Sequence, residues 1–143
     1  MAISHGVLTA DPCSTTFVFV STRDELEAFN RGFTEALARR DVDRIVEMYA
    51  DDAVLLFHGM PIVRGRSEIE AMFREDLADG PSTIRFEVGD VIEDGSIVID
   101  VGRYETPDGR GKYVVVYRRR TDGSLELVVD SATSDGSNEL SEG

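Results

Sequence analysis

The amino-acid sequence predicts a single α+β domain in which helices pack on one face of a strongly curved antiparallel sheet. Its 143 residues match the usual size of a domain with one core. Helical hydrophobic periodicity dominates the first half of the chain, and alternating apolar residues with turn signals dominate the second half. Helices followed by hairpin-connected strands are typical of the α+β class. We place this domain at residues 22–134.

Three helices are predicted in the first half. Thr22 and Glu25 form a capping box for the first helix, and Asp41 can cap a shorter second helix. Another capping box, Ser67 with Glu70, opens the third helix. The apolar positions recur at helical spacing: Leu26, Phe29, Phe33 and Leu37, then Val42, Ile45, Val46 and Tyr49, then Ile69, Met72, Phe73 and Leu77.

One strand is predicted between the second and third helices, and four strands follow the third helix. Residues 53–57 form a short apolar run typical of a buried strand, and Ile62 and Val63 can pair back onto it. In the second half Gly89 is predicted to form a bulge. Three turn signals divide this half into a meander: Asp94-Gly95, Pro107-Asp108-Gly109 and Asp122-Gly123. The predicted order is α-α-β-α-β-β-β-β.

The two ends of the chain differ from this domain. Residues 1–21 form a leader without a helical stripe, in which residues 16–20 have the composition of a short edge strand. Residues 135–143 are rich in Ser, Asp, Gly, Asn and Glu, which predicts a disordered tail.

Charge and cysteine content exclude several classes of function. The formal net charge of −13 repels phosphate backbones and anionic lipid headgroups, so we expect no nucleic-acid and no membrane partner. A lone Cys13 cannot form an intrachain disulfide, and with only His5 and His58 there is no zinc-binding spacing. We expect a cytoplasmic protein with no metal site and no cofactor.

A series of short motifs resembles one known superfamily. They are residues 36–43 (ALARRDVD), 49–53 (YADDA), 65–66 (GR), 111–117 (GKYVVVY), 122–125 (DGSL) and 129–130 (VD). The first two are similar to the opening of nuclear transport factor 2-like proteins, and the others resemble the SnoaL-like and ketosteroid isomerase-like branches. The resemblance covers about residues 22–135. It implies a cystatin-like cone with a cavity between the helices and the sheet.

The resemblance also implies where the polar groups of a ketosteroid isomerase would lie. These enzymes carry a base Asp at the end of the first strand, a Tyr on the first helix and a second acid on a later strand. Matching the motifs places Phe57, Phe33 and Val115 at these positions. All three are apolar, whereas proton abstraction beside a carbonyl needs a base and an oxyanion donor. We therefore expect that the chain is not a ketosteroid isomerase.

The same matching directs attention to Asp130 on the last strand. Val128, Asp130 and Ala132 should face the cavity, because alternate residues of a strand point to the same side. A carboxylate facing an apolar cavity is costly unless it is paired or protonated, and desolvation raises its pKa. SnoaL-like polyketide cyclases carry an acid/base Asp on their last strand, and Asp130 resembles it. The alternative is a solvated or paired Asp130 at the cavity rim that acts as a structural anchor.

Two further residues are candidate catalytic groups. His58 follows the first strand and can act as a general base, or it is a half-exposed turn residue. Tyr117 can donate a hydrogen bond to a ligand oxygen or simply pack in the core. The cyclases place a histidine on the preceding strand, where this chain has only tyrosine and valine in line. The predicted cavity lining is Phe33, Phe57, Met72, Phe73, Val115, Val128 and Ala132.

Three functions remain open at this stage. The leading hypothesis is binding of a small apolar molecule, aromatic or polycyclic, with cofactor-free isomerase, cyclase or dehydratase (lyase) chemistry by Asp130, assisted by His58 or Tyr117. The second is a ligand-binding or carrier module without catalysis. The third is a protein-association domain, because residues 114–117 and 125–129 are apolar on both faces. Each face then needs a layer packed against it, and a partner can supply the second layer. We expect a homodimer that forms through the sheet.

Overall fold

The computed structural model describes residues 7–10 and 17–136, with side chains described from residue 20 onward. In these ranges the helices are α1 (Thr22–Arg39), α2 (Val42–Glu47) and α3 (Gly65–Asp76). The strands are β1 (Val7–Ala10), β2 (Phe17–Val20), β3 (Tyr49–Phe57), β4 (Val63–Arg64), β5 (Arg85–Asp94), β6 (Ile97–Thr106), β7 (Gly109–Arg119) and β8 (Leu125–Ser134). From α1 onward the elements follow the predicted order, with β4 at the predicted short return strand, which confirms the α+β class.

Six strands form one sheet in the order β4-β3-β8-β7-β6-β5. Neighbouring strands are antiparallel except β3 and β8, which run parallel with Leu55 opposite Asp130. Helix α1 packs against β5, and α3 packs against β3. None of the described helices is long and apolar enough to cross a membrane. The three helices and the curved sheet thus form the two layers that enclose the core.

Parts of the predicted leader and tail can be compared with the structure. Residues 16–20 contain β2, which pairs with β1 in a separate two-stranded sheet and not with the edge of the large sheet. The rest of the leader, residues 1–6 and 11–16, and the tail from residue 137 lie outside the described residues. Asp135 forms an ion pair with Lys112 at 3.1 Å, so contacts with the domain extend one residue past its predicted end.

The caps of the first two helices lie at or next to the predicted residues. Ser21, and not Thr22, caps α1, because the Ser21 Oγ accepts a hydrogen bond from the Asp24 N–H at 3.1 Å. Asp41 caps α2 as predicted, with its Oδ1 accepting from the Arg44 N–H at 3.2 Å. Both side chains satisfy an amide of the first turn that has no intrahelical partner.

Helix α3 begins two residues before the predicted capping box. Its first residue is Gly65, and no side chain accepts from the first-turn amides at the cap position. The Glu68 Oε1 instead accepts a hydrogen bond from the Arg64 N–H at 2.9 Å. Ser67 is therefore inside the helix and not at its cap.

The second helix is shorter than the hydrophobic pattern predicts, and Tyr49 belongs to a strand. Helix α2 ends at Glu47, and β3 begins at Tyr49 rather than at residue 53. The Leu127 N–H donates to the Met48 carbonyl at 2.9 Å, and Tyr49 is paired with Leu127 of β8. This pairing outweighs helical periodicity, because a helix of so few residues gains little from propensity alone.

Within the described residues, the strand register of the large sheet shifts three times: once between the parallel strands β3 and β8, between Tyr49 and Val54, and at two bulges in antiparallel pairs that bend the sheet. The first bulge lies at Gly89 in β5, as predicted, where the register with β6 shifts. The second bulge lies in β8, where the register with β7 shifts between Leu127 and Val129 and leaves Val128 as the extra residue. A β-bulge increases the local twist and bends its strand, so both bulges contribute to the curvature that separates sheet from helices.

A buried polar cluster supports the curved part of the sheet. Asp100 is fully buried, and its Oδ1 accepts from the Gly89 N–H at 2.9 Å while its Oδ2 accepts from the Tyr113 hydroxyl at 2.7 Å. Burial raises the pKa of Asp100, and the hydrogen bonds from Tyr113 and Gly89 oppose this rise. The Tyr113 ring passes over Gly102, where an added Cβ would lie 2.4 Å from the hydroxyl. The cluster therefore requires glycine at position 102.

We expect the Gly102→Ala variant to be less stable than the unchanged protein by about 3 kcal/mol, because the added methyl group overlaps the Tyr113 ring. The matched control is Gly32→Ala in α1, where the nearest atom to an added Cβ is the Met48 methyl carbon at 3.8 Å. This control should gain about 0.5–1 kcal/mol, because alanine favours a helix interior. Urea unfolding measures both changes, and equal stabilities would contradict the argument.

Candidate functional site

A cavity lies between the helices and the inner face of the sheet. Its volume of ≈ 320 Å³ is at the lower end of the ~300–1,000 Å³ range of small-molecule sites. Eight of its 18 described lining residues are aromatic: Phe29, Phe33, Phe57, Phe73, Phe86, Tyr104, Tyr113 and Tyr117. Within the described chain, its charged lining residues are Asp76 and Asp130, and none is Lys, Arg or His. The cavity is thus aromatic and free of cationic groups.

Asp130 brings a carboxyl group into this cavity from β8. Its Oδ2 accepts a hydrogen bond from the Tyr49 hydroxyl at 2.6 Å, whereas its Oδ1 has no hydrogen-bond partner among the described residues. Burial raises the pKa of Asp130 to about 6, and the hydrogen bond from Tyr49 partly offsets this rise. Desolvation dominates because the carboxylate is harder to charge in an apolar wall than in water.

Tyr49 holds the carboxyl group in place from the neighbouring strand β3. The Tyr49 side chain is fully buried and packs edge-on against Phe33, with ring centroids 6.0 Å apart. The Tyr49 carbonyl accepts two hydrogen bonds from the Arg66 guanidinium, at 3.0 and 2.7 Å. Arg66 also pairs with Asp51 at 2.9 Å. Arg66 at the start of α3 thus anchors the backbone that carries the Tyr49 hydroxyl.

Tyr117 offers a second polar group to the cavity. It is 1% exposed, and its ring packs edge-on against Phe29 with centroids 5.1 Å apart. Its hydroxyl makes no hydrogen bond within the described part of the chain, although the residue lines the cavity. Burial, followed by the charge of Asp100, raises the pKa of Tyr117, so the hydroxyl keeps its proton. It is available as a hydrogen-bond donor.

Asn30 and Asp76 also line the cavity. The Nδ2 atom of Asn30 is buried without a hydrogen-bond partner in the described chain. Asp76 is mostly exposed, and its pKa is raised by partial desolvation and then by the charge of Glu75. In the described ranges no group of three His, Cys, Asp or Glu side chains is placed to hold a metal ion. The polar chemistry of the cavity therefore consists of carboxyl, hydroxyl and amide groups.

Comparison with known families agrees with this architecture. The model of the SnoaL-like domain matches residues 30–127, which is more than half of the chain. The chain belongs to the SnoaL-like domain family. It is thereby a member of the nuclear transport factor 2-like superfamily, as the sequence motifs predicted.

Solved structures of low sequence identity share the fold of this SnoaL-like domain. A domain of unknown function with a cystatin-like fold from Nostoc punctiforme has a TM-score of 0.67 and 18% identity, covering 86% of this chain and 84% of that one. An NTF-2 like protein of unknown function from Shewanella oneidensis has a TM-score of 0.66 and 18% identity, covering 77% and 97%. A protein from Xanthomonas campestris described as a calcium/calmodulin dependent protein kinase II association domain has a TM-score of 0.65 and 20% identity. This match covers 92% of this chain and 97% of that one. They confirm the cystatin-like cone.

Most residues predicted to line the cavity of the SnoaL-like domain do so. They are Phe33, Phe57, Phe73, Val115 and Ala132, together with Asp130 and Tyr117. The three positions matched to the polar groups of a ketosteroid isomerase thus contribute apolar surface.

Three predicted site residues lie elsewhere. Met72 is buried in the core but does not line the cavity, because α3 presents the neighbouring Phe73 there. Strict alternation assigned Val128 to the cavity face, but Val128 is the extra residue of the β8 bulge. Leu127 lines the cavity in its place. His58 is exposed in the turn after β3 and is absent from the lining. Its position does not bring it to Asp130.

Sequence reasoning missed Tyr49 as a partner of Asp130. The two residues are 81 positions apart in the chain, and Tyr49 appeared as the last apolar position of the second helix. Its place in the 49–53 motif of the SnoaL-like domain was the available signal. Only the parallel pairing of β3 with β8 shows that the two side chains meet.

We expect the Asp130→Asn variant to be more stable than the unchanged protein at pH 8, with a difference that shrinks towards pH 4. The pKa of Asp130 is about 6 in the folded chain, against about 3.9 in an unfolded one. The folded state therefore binds more protons in this range, and the free energy of unfolding falls as pH rises from about 4 to 6. At about 1.4 kcal/mol per pKa unit, ionisation costs up to about 3 kcal/mol.

Urea unfolding at pH 4, 6 and 8 checks this expectation. The amide substitution retains an oxygen that can accept the Tyr49 hydrogen bond, so the comparison isolates the charge. A stability difference that stays constant over this range would show that the Asp130 carboxyl does not titrate as the structure indicates.

Proposed function

We propose that this SnoaL-like domain binds a small, largely aromatic or polycyclic molecule in the cavity and exchanges a proton with it through Asp130. The observation that carries the proposal is the free Oδ1 of Asp130, which lines an aromatic cavity while Tyr49 holds Oδ2. A carboxyl group with a pKa of about 6 populates both the acid and the base form near neutral pH. The arrangement needs no cofactor.

The proposed step is reversible removal of a proton from carbon next to a carbonyl group. The carbon–hydrogen bond breaks, the proton moves to the Asp130 Oδ1, and the electron pair shifts onto the carbonyl oxygen. The Tyr117 hydroxyl is the candidate donor to that oxygen, since it is unpaired among the described residues. Return of the proton to another carbon of the ligand completes an isomerisation. Attack of the enolate carbon on a second carbonyl carbon of the same ligand, whose oxygen then takes the proton from Asp130, completes a cyclisation.

The proposal differs from the chemistry of ketosteroid isomerases in the origin of its acid–base group. Phe57, Phe33 and Val115 contribute ring and methyl surface where those enzymes have their base, tyrosine and second acid. The candidate base is supplied instead by β8, and its orienting tyrosine by the start of β3. The His58 side chain has no part in this scheme.

We expect the protein to accelerate exchange of the α-protons of 2-tetralone, a small bicyclic ketone, for deuterium in D₂O. The Asp130→Asn variant should exchange more slowly by about 10²-fold or more, because the substitution removes the general base. The Tyr117→Phe variant should lose less, because it retains the base. Proton NMR of the ketone follows the exchange, and fluorescence competition follows its binding.

Two variants in which phenylalanine replaces a native alanine test whether the ligand must enter the cavity. Ala132→Phe fills space at the cavity wall and should abolish both binding and exchange, whereas Ala71→Phe on the exposed face of α3 should change neither. Exchange that is the same in the unchanged protein and Asp130→Asn would contradict the acid–base role.

A non-catalytic ligand-binding or carrier function is the second candidate. It is favoured by the apolar residues at the three isomerase positions, which leave Asp130 as the single carboxyl group deep in the wall. Binding of a ligand without any proton exchange would support this function over the first.

The outer face of the sheet supports a homodimer as the assembly in which the domain acts. One row of side chains runs across five strands at matching register: Ile92, Ile99, Val116, Val129 and Val54. The next row includes Val101, Val114 and Leu56, each exposed by at least 40% in the single chain. An apolar face of this kind on a soluble domain favours a protein partner, and a second copy presents the same surface.

We expect the unchanged protein to be a dimer by size-exclusion chromatography with light scattering. Val114→Glu should produce a monomer, because a carboxylate would be buried in the apolar contact. The control is Met60→Glu, in the turn after β3, where the exposed fraction of 40% is similar but the residue lies outside these rows. A monomeric unchanged protein would contradict the proposed assembly.

A further inference from the structure

Among the residues that the structure describes, the Asp130 carboxyl group has no partner of opposite charge. Within the described residues its hydrogen bond comes from the neutral Tyr49 hydroxyl, and no cationic side chain lines the cavity. Burial and this hydrogen bond are the influences on its pKa, with no contribution from a lysine or arginine. Buried carboxylates in proteins are ordinarily paired with a cation or protonated. The described part of the chain therefore leaves the charge of Asp130 uncompensated.

The wall around this carboxyl group suits a positive charge. Aromatic rings present negative faces, and a cation within about 6 Å of such a face is attracted by the ring quadrupole. The aromatic lining residues enclose the same space as Asp130. At the lining's exposed edge, Asp76 adds a second carboxyl group, and the whole chain carries a net charge of −13. Among the described lining residues, a carboxylate or phosphate ligand would meet only like charge.

On the basis of the proposed function, we infer that the molecule bound in this cavity carries a basic amine whose ammonium group pairs with the Asp130 Oδ1. The Tyr49 hydroxyl keeps Oδ2, so the free oxygen is the one that meets the ligand. The apolar part of the molecule packs on the phenylalanine rings. The ammonium group favours the ionised form of Asp130, because a nearby positive charge lowers the pKa of a carboxyl group.

Three naphthalene derivatives of nearly equal size test the charge of the ligand. They are 1-naphthylmethylamine, which is an ammonium ion at pH 7.5, the neutral 1-naphthalenemethanol, and 1-naphthoate. We expect the ammonium compound to bind about tenfold tighter than the alcohol, and naphthoate to bind most weakly. Isothermal calorimetry and naphthalene fluorescence measure the affinities at a one-to-one ratio.

Variants assign the preference to one carboxyl group. Asp130→Asn should reduce the affinity for the ammonium compound to about that for the alcohol, and continued binding of the alcohol shows that the cavity is intact. Tyr49→Phe retains the carboxylate and should keep a preference for the ammonium compound. Asp76→Asn should alter the preference less than Asp130→Asn, because Asp76 is exposed.

The outcomes separate this inference from the proposed function. If the alcohol binds and the ammonium compound binds no tighter, the inference is overturned while the apolar cavity remains a ligand site. If none of the three compounds binds, both are overturned. If the preference persists in Asp130→Asn, the ammonium group does not pair with Asp130 and the inference fails.

Discussion

The parallel pairing of β3 with β8 is the constraint on which the candidate site depends. Because of this pairing, α2 ends after Glu47 and Tyr49 belongs to a strand. It also places Leu55 of β3 directly opposite Asp130 of β8. Because β3 also carries Phe57 to the cavity wall, one strand supplies both apolar surface and the hydroxyl group that holds the carboxyl. Arg66 of α3 reinforces this placement by donating to the Tyr49 carbonyl.

The elements predictable from sequence are those whose signals are local. Asp41 as a cap, Gly89 as a bulge and the glycine-containing turns each act within a few residues, so the chain order of helices and strands followed from them. Tyr49 and Val128 were misplaced because their roles depend on distant partners. Periodicity assigned Tyr49 to a helix, and strict alternation assigned Val128 to the cavity face, whereas pairing with β8 and the bulge opposite β7 reversed both assignments.

The sheet also shows why apolar alternation does not by itself identify an inner face. On β6 the alternating Ile97, Ile99 and Val101 point away from the helices, while Val98 and Asp100 are fully buried beneath them. A strand with one apolar face covered by helices and another available to a partner carries hydrophobic residues on both sides. The burial of Asp100 was therefore invisible in the pattern, since an acidic residue between apolar ones is normally interpreted as exposed.

Asp100, which is fully buried, and Asp130, which is half-buried in the cavity wall, differ in how their carboxyl oxygens are used. Both oxygens of Asp100 accept hydrogen bonds, from Gly89 and Tyr113, and the residue does not line the cavity. Asp130 has one oxygen occupied by Tyr49 and one that is free at an aromatic wall. A fold that needed only an anchor at this position would satisfy both oxygens, or use an amide without the cost of ionisation. The free oxygen of Asp130 and the raised pKa of its carboxyl group therefore support the proposed role in ligand binding.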